Sequence, residues 1–169
     1  MITRDTVKIS QWLPRLTILV CLSVLAALAQ AADSAPHALT HSKDLSRLAS
    51  AAQAEGVPVL LMFSAPHCDY CQRLEREVLA PMAQGQERSP QVLMAKVESG
   101  AGLLRDFNGQ RLSADALADA YDIDVYPTLV LVDARGQALV PKIVGYQTPE
   151  FYPAYLELAI KTGQALLRR

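Results

Sequence analysis

A chain of 169 residues, 51% of them apolar and 20% charged, has room for one packed domain plus a targeting segment, which excludes a chiefly disordered protein. Its formal net charge of −1 offers no basic surplus for a phosphate backbone, so nucleic-acid binding is excluded as the main task.

The N-terminal segment differs from the rest. Arg4, Lys8 and Arg15 precede an uncharged run, Leu16 to Ala29, followed by Ala29-Gln30-Ala31. Basic, apolar and small-x-small regions in that order predict a secretory signal peptide over residues 1–31. The run falls short of the ~20 residues that cross a bilayer; an uncleaved N-terminal anchor is the alternative. Cleavage after Ala31 leaves 13 basic and 16 acidic residues, a net charge of −3, and removes Cys21. The two remaining cysteines, Cys68 and Cys71, lie in one Cys-x-x-Cys motif.

Residues 32–41 read as a linker and 42–169 as the domain. Leu45, Leu48, Ala49 and Ala52 recur at helical spacing, predicting a helix from Lys43 to Ala54 with Ser42 as N-cap and Gly56 past its end. Val57 to Phe63 is a continuous apolar run of the length of a strand buried on both faces, with Pro58 tolerated near its start. Ser64 to His67 is a turn. A second helix opens near Cys68, carries Leu74, Val78, Leu79 and Met82 on one side, and is kinked or ended by Pro81. Val92 to Val97 is a second buried strand. Glu98 to Leu112 contains three glycines and reads as an irregular insertion, with one helical turn around Leu103 to Phe107. Ser113 caps a short helix with Leu117, Ala120 and Tyr121 inward. Leu129 to Val132 is a strand, Asp133 to Gly136 a turn, and Gln137 to Val144 a strand pairing back as a hairpin, with Pro141 implying an exposed edge. Thr148 and Pro149 open a last helix to about Leu167, with Pro153 able to delay its regular part. Three strands alternating with helices, then a hairpin, predict an α/β fold: a central mixed sheet flanked by helices, ending in a β-hairpin and helix.

The chemistry-bearing feature is Cys68-Asp69-Tyr70-Cys71, placed where a buried strand hands over to a helix. At a helix start, the Cys68 sulfur lies near unpaired backbone N–H groups that favour the thiolate. Cys71, three residues on, can attack a mixed disulfide made by Cys68 and release the partner. Cys68 is therefore the candidate nucleophile and Cys71 the resolving thiol. Half of a zinc site is the competing reading, but a structural zinc takes four ligands and no second cysteine pair exists in the mature chain. A purely structural disulfide is the other; a loop this short removes little unfolded-chain entropy. No metal and no cofactor are expected.

The strand VPVLLMF, the segment SAPHCDYCQRLEREVL, and YPTLVLVD followed by Gly136 and Gly145 together resemble the thioredoxin-like superfamily. The resemblance is strongest to bacterial periplasmic thiol:disulfide interchange proteins such as the SoxW-like proteins and the C-terminal domain of DsbD. It implies a thioredoxin fold, a periplasmic location, and protein thiol–disulfide exchange, with Cys68 and Cys71 catalytic. It also implies a cis bond before Pro127, with Tyr126, Pro127 and His67 offered to an extended substrate segment that pairs by β-augmentation. The partners implied are cysteine-containing exported proteins and a membrane thiol reductant that keeps a monomeric carrier reduced. Two positions depart from the family. His67 replaces the tryptophan that precedes the first cysteine in thioredoxins, and Met62 replaces their buried aspartate, leaving Glu75 as a candidate proton-transfer group or a solvated helix-face carboxylate. Asp69 disfavours the thiolate and a protonated His67 would favour it; the family likeness tips the expectation to a reductase. A thioredoxin-fold binding module without redox turnover is the alternative class. Tyr146 and Tyr152, with Tyr126, read as core aromatics or, alternatively, as a docking patch.

Overall fold

The structure is a computed structural model that describes residues 39–84 and 91–169. The expected signal peptide or anchor, and all of the expected linker before Leu39, lie outside the described residues. Among the described residues no helix is long and apolar enough to cross a membrane.

The elements are β1 (Thr40–His41), α1 (Leu45–Glu55), β2 (Val59–Ser64), α2 (Asp69–Leu74), a π-helical turn (Glu75–Leu79), α3 (Ala80–Ala83), β3 (Leu93–Glu98), β4 (Leu103–Arg105), β5 (Arg111–Ser113), α4 (Ala114–Ala120), β6 (Thr128–Val132), β7 (Ile143–Val144) and α5 (Tyr152–Leu167). Five strands form one sheet in the order β1-β3-β2-β6-β7. β1, β3 and β2 run parallel, while β6 is antiparallel to β2 and β7 antiparallel to β6. This is the mixed, helix-covered α/β sheet that the element order implies.

Alternation along the central strands builds two cores. Val59, Leu61 and Phe63 of β2 join Leu93, Ala95 and Val97 of β3 and Val130 and Val132 of β6 on one face, under α1 and α4. Leu60, Met62, Met94, Leu129 and Leu131 face the other way, under α2, the π turn and α5. A period-two strand buried on both faces has no polar side to show, which is why these segments are continuous apolar runs. Each fully buried Leu, Val or Phe contributes about 1.5–3 kcal/mol relative to exposure.

Several expectations are corrected. The N-cap of α1 is Asp44, whose carboxylate accepts from the Ser46 and Arg47 N–H groups; the Ser42 hydroxyl instead donates to the Asp44 carbonyl. Thr40–His41, at the end of the stretch read as linker, pair with β3. The 98–112 insertion is a hairpin, β4 antiparallel to β5, not a helical turn; its three-residue strands are too short for a periodic signal. The strand expected over 137–144 is reduced to a bridge at Ala138 and the two residues of β7, because Pro141 has no N–H for a ladder. Pro81 does not end the helix. The π turn ends two residues before it, and that widened ring accommodates a residue whose own ring collides with a regular i−4 carbonyl. The last helix begins at Tyr152, with Pro153 in its first turn.

Candidate active site

β2 ends at Ser64, and five residues later α2 starts at Asp69. Cys68 is the N-cap, extended at φ −93° and ψ 100°, and its sulfur accepts the Cys71 N–H at 3.2 Å. His67 turns the chain at φ 57°, a left-handed conformation unfavourable for a side chain with a Cβ by roughly 1–2 kcal/mol. The two cysteines are joined in a disulfide with Cα atoms 5.2 Å apart. They differ in access: Cys71 is 2% exposed and packs in the second core, while Cys68 is half-buried. A visiting molecule can reach Cys68, and Cys71 stays sealed beneath it. His67, Asp69 and Tyr70 around them are exposed.

The Tyr126–Pro127 peptide bond is cis. Half-buried Tyr126 packs against both cores, the second of which also holds Cys68 and Cys71. The Thr128 hydroxyl donates to the Val125 carbonyl at 2.7 Å, and the Gly145 N–H donates to the Pro127 carbonyl at 2.7 Å. Tyr70, Val125 and Val144 remain about half exposed or more, so the cysteine end of the sheet carries exposed apolar side chains. Tyr146 and Tyr152 are buried, at 5% and 3% exposure, so they belong to the core and not to a docking patch.

Met62 is fully buried, and its register partner on β3 is Lys96. Lys96 interrupts the apolar run Leu93 to Val97 of β3, the signal in the sequence that something charged lies there. Its Nζ donates to the Glu75 carboxylate at 3.0 Å and lies 3.8 Å from Glu98. Glu75 is thus a partnered carboxylate one helical turn beyond Cys71, not a freely solvated one.

Sequence reasoning missed a second cluster. Glu77, in the π turn, accepts from Arg73 at 3.2 and 3.4 Å and from the Tyr146 hydroxyl at 2.8 Å. The Arg73 guanidinium stands 5.6 Å over the Tyr146 ring, and Tyr146 meets Tyr152 edge-on at 4.9 Å. The Arg73 hydrogen bond, then that of Tyr146, holds the Glu77 carboxyl below its ordinary range. Burial, then the bond to Glu77, pushes the Tyr146 phenol up. The Arg73–Glu77 spacing of four was the only part of this visible in the sequence. Among the described residues no group of three or more histidine, cysteine or acidic side chains is arranged to hold a metal.

Comparison with known proteins finds that the profile of a thioredoxin-like domain matches residues 45–160. A protein disulfide-isomerase from Datisca glomerata is 31% identical over 102 residues, 60% of this chain; the chain spans 17% of that relative's length. Among solved structures, a thioredoxin-fold protein from Helicobacter pylori aligns with a TM-score of 0.56 at 19% identity, over 79% of this chain and 83% of its own. A thioredoxin from Trypanosoma brucei brucei aligns with a TM-score of 0.51 at 15% identity, over 76% and 93%. At those identities the likeness concerns the fold.

Proposed function

This chain belongs to the thioredoxin-like domain family, and from that membership we propose that it is an exported protein thiol–disulfide oxidoreductase working as a reductase. The observation that carries the reading is the unequal burial of two bonded sulfurs at a strand-to-helix junction, one reachable and one sealed.

In the reduced protein, the Cys68 thiolate attacks a disulfide of the partner. The partner's S–S bond breaks, a Cys68–partner mixed disulfide forms, and one partner sulfur leaves as a thiolate that takes a proton. Cys71, deprotonated, then attacks the Cys68 sulfur. The mixed disulfide breaks, the second partner thiolate leaves and is protonated, and the Cys68–Cys71 bond of the present structure forms. Two electrons pass to the partner, and a dithiol of a membrane reductant returns them. The Cys71 N–H, aimed at the Cys68 sulfur, stabilises the thiolate before attack and as leaving group. Tyr126, packed on the core that also holds Cys68 and Cys71, and Pro127 offer main chain for an extended partner segment, with His67 at the rim.

The N-terminal pattern of residues 1–31 supports export, and the segment SAPHCDYCQRLEREVL supports a place beside the periplasmic SoxW-like and DsbD C-terminal-domain-like interchange proteins. Purified protein is expected to accelerate insulin reduction by dithiothreitol. Cys71→Ala is expected to accumulate mixed disulfides with exported proteins through Cys68. Protein that gives no acceleration, together with a Cys71→Ala form that captures nothing, returns the fold to a binding role. A reduction potential near the most oxidising end of the superfamily, about −120 mV, overturns the reductase direction alone.

A further inference from the structure

Resting on the oxidoreductase reading, we propose that Tyr146 is a positioning residue. Through Glu77 and Arg73 it locks the Val144–Gly145 edge to the cysteine helix, and so sets how well a protein disulfide, as opposed to a small one, is held.

Three segments lie at the cysteine end of the sheet: the α2 start, the 125–127 loop, and the β7 edge with the residues that follow it. The first two are held together by core packing through Tyr126. The third is the weakest by construction. β7 has only two residues, Val144 and Ile143 pair with Thr128 and Leu129, and beyond them the Gly145 N–H donates to the Pro127 carbonyl and the exposed Lys142 ammonium to the Tyr121 and Asp122 carbonyls. A two-residue outer strand leaves its unpaired side to solvent and gains little from its own ladder.

Tyr146 supplies what the ladder lacks. It directly follows Gly145, is nearly fully buried, and its hydroxyl crosses to Glu77 at 2.8 Å, 69 residues away in sequence. Arg73, two residues after Cys71, bonds both carboxylate oxygens of Glu77 and covers the Tyr146 ring. The ring also packs on Tyr152 of α5. One side chain therefore joins the β7 edge, the cysteine helix and the last helix. Because Tyr146 is buried, it acts on a partner only through the exposed main chain and Val144 beside it. An extended protein segment laid against the 126–127 main chain spans that edge as well; a small disulfide meets only Cys68.

The test compares wild type, Tyr146→Phe, Glu77→Ala and the double variant on insulin, with dithiothreitol as electron donor, and, pre-reduced, on a small aromatic disulfide. Tyr146→Phe keeps the ring packing and removes only the hydroxyl bond. The expected result is a KM for insulin raised about fivefold, the worth of one net hydrogen bond, with kcat and the small-disulfide rate within twofold of wild type. The double variant is expected to be no worse than Glu77→Ala alone, since both single changes break the same contact. Insulin KM unchanged in both single variants overturns the inference, and so does an equal loss on the small disulfide, which places the effect at the sulfurs. A wild type that reduces neither substrate overturns the oxidoreductase reading instead.

Discussion

Lys96 on β3 bonds Glu75 on the π turn at 3.0 Å, beside the fully buried Met62. The lysine side chain is 13% exposed, against 31% for Glu75 and 30% for Glu98, its second partner at 3.8 Å. A cation this enclosed is held by its carboxylates, and the carboxylates keep their own water. The pair stands on the sheet face that carries Met62, in the layer below Cys71.

Lys96→Met is therefore expected to destabilise the fold, since it leaves Glu75 and Glu98 facing each other without a counter-charge. Breaking a fully buried pair costs about 3–5 kcal/mol; the part-exposed carboxylates can rehydrate, so about 1–3 kcal/mol is expected here. Adding Glu75→Gln should recover part of the loss. Urea unfolding of the two single variants and the double variant measures this, and additive losses would show that the three groups are not coupled.

Gly163→Ala should also destabilise. Gly163 lies on the buried face of α5, where an added Cβ would overlap Leu131 of β6 and reach Leu139 at 3.4 Å. Alanine gains about 1 kcal/mol of helix propensity over glycine, but overpacking a tight contact costs about 1–3 kcal/mol. A net loss of about 1 kcal/mol in a denaturant titration is expected. A gain of the full propensity term would mean that α5 can move off the sheet freely.

The inserted hairpin is pinned at its tip by Gly136. That glycine has φ +80°, and a Cβ there would lie 2.7 Å from the Phe107 ring and 3.1 Å from the Tyr121 hydroxyl, which donates to the Gly136 carbonyl at 2.7 Å. Burial, with Asp133 and Asp106 adding to it, pushes that phenol up to about 12, so the bond persists across the neutral range. Gly136→Ala combines a left-handed penalty of about 1 kcal/mol with the clash. Hydrogen exchange should then show the 103–113 amides losing protection while those of β2 and β3 keep theirs. Equal loss everywhere would make the hairpin an integral part of the core.

How far the sequence announced this depends on periodicity and reach. The α1 face of Leu45, Ala49 and Ala52 was readable because helical spacing repeats, and β2 because a strand buried on both faces is uniformly apolar. The cysteine pair was readable because its four residues are local and sit at a junction that both neighbours mark. The β4–β5 hairpin was not, since Leu103, Leu104 and Phe107 mimic a helical turn and three-residue strands show no alternation. β1 was invisible for the same reason of length. The Tyr146–Glu77 contact depends on topology alone: nothing in either segment names the other. Asp44 and Ser42 are both good caps two residues apart; the helix starts at Leu45, so Asp44, extended directly before it, is the one that reaches the first N–H groups.

That cap has a pH signature. Asp44 accepts the Ser46 hydroxyl at 2.6 Å and the Ser46 and Arg47 N–H groups at 3.1 and 3.3 Å. The Ser46 hydroxyl bond is the largest cause holding its carboxyl below the ordinary 3.8. A carboxyl depressed in the folded state contributes stability that is fully present above its unfolded value, and loses it as pH falls through the folded value. Wild type should therefore exceed Asp44→Ala in thermal midpoint by a constant margin from neutral pH down to about pH 5. Below that the margin should shrink, because the folded protein must give up the ionised cap. Asp44→Asn, which keeps an acceptor oxygen without the charge, should lie between the two at neutral pH and approach wild type in acid. A margin that does not change between pH 7 and pH 3 would mean that the cap acts through shape alone, with the Ser46 bond indifferent to charge.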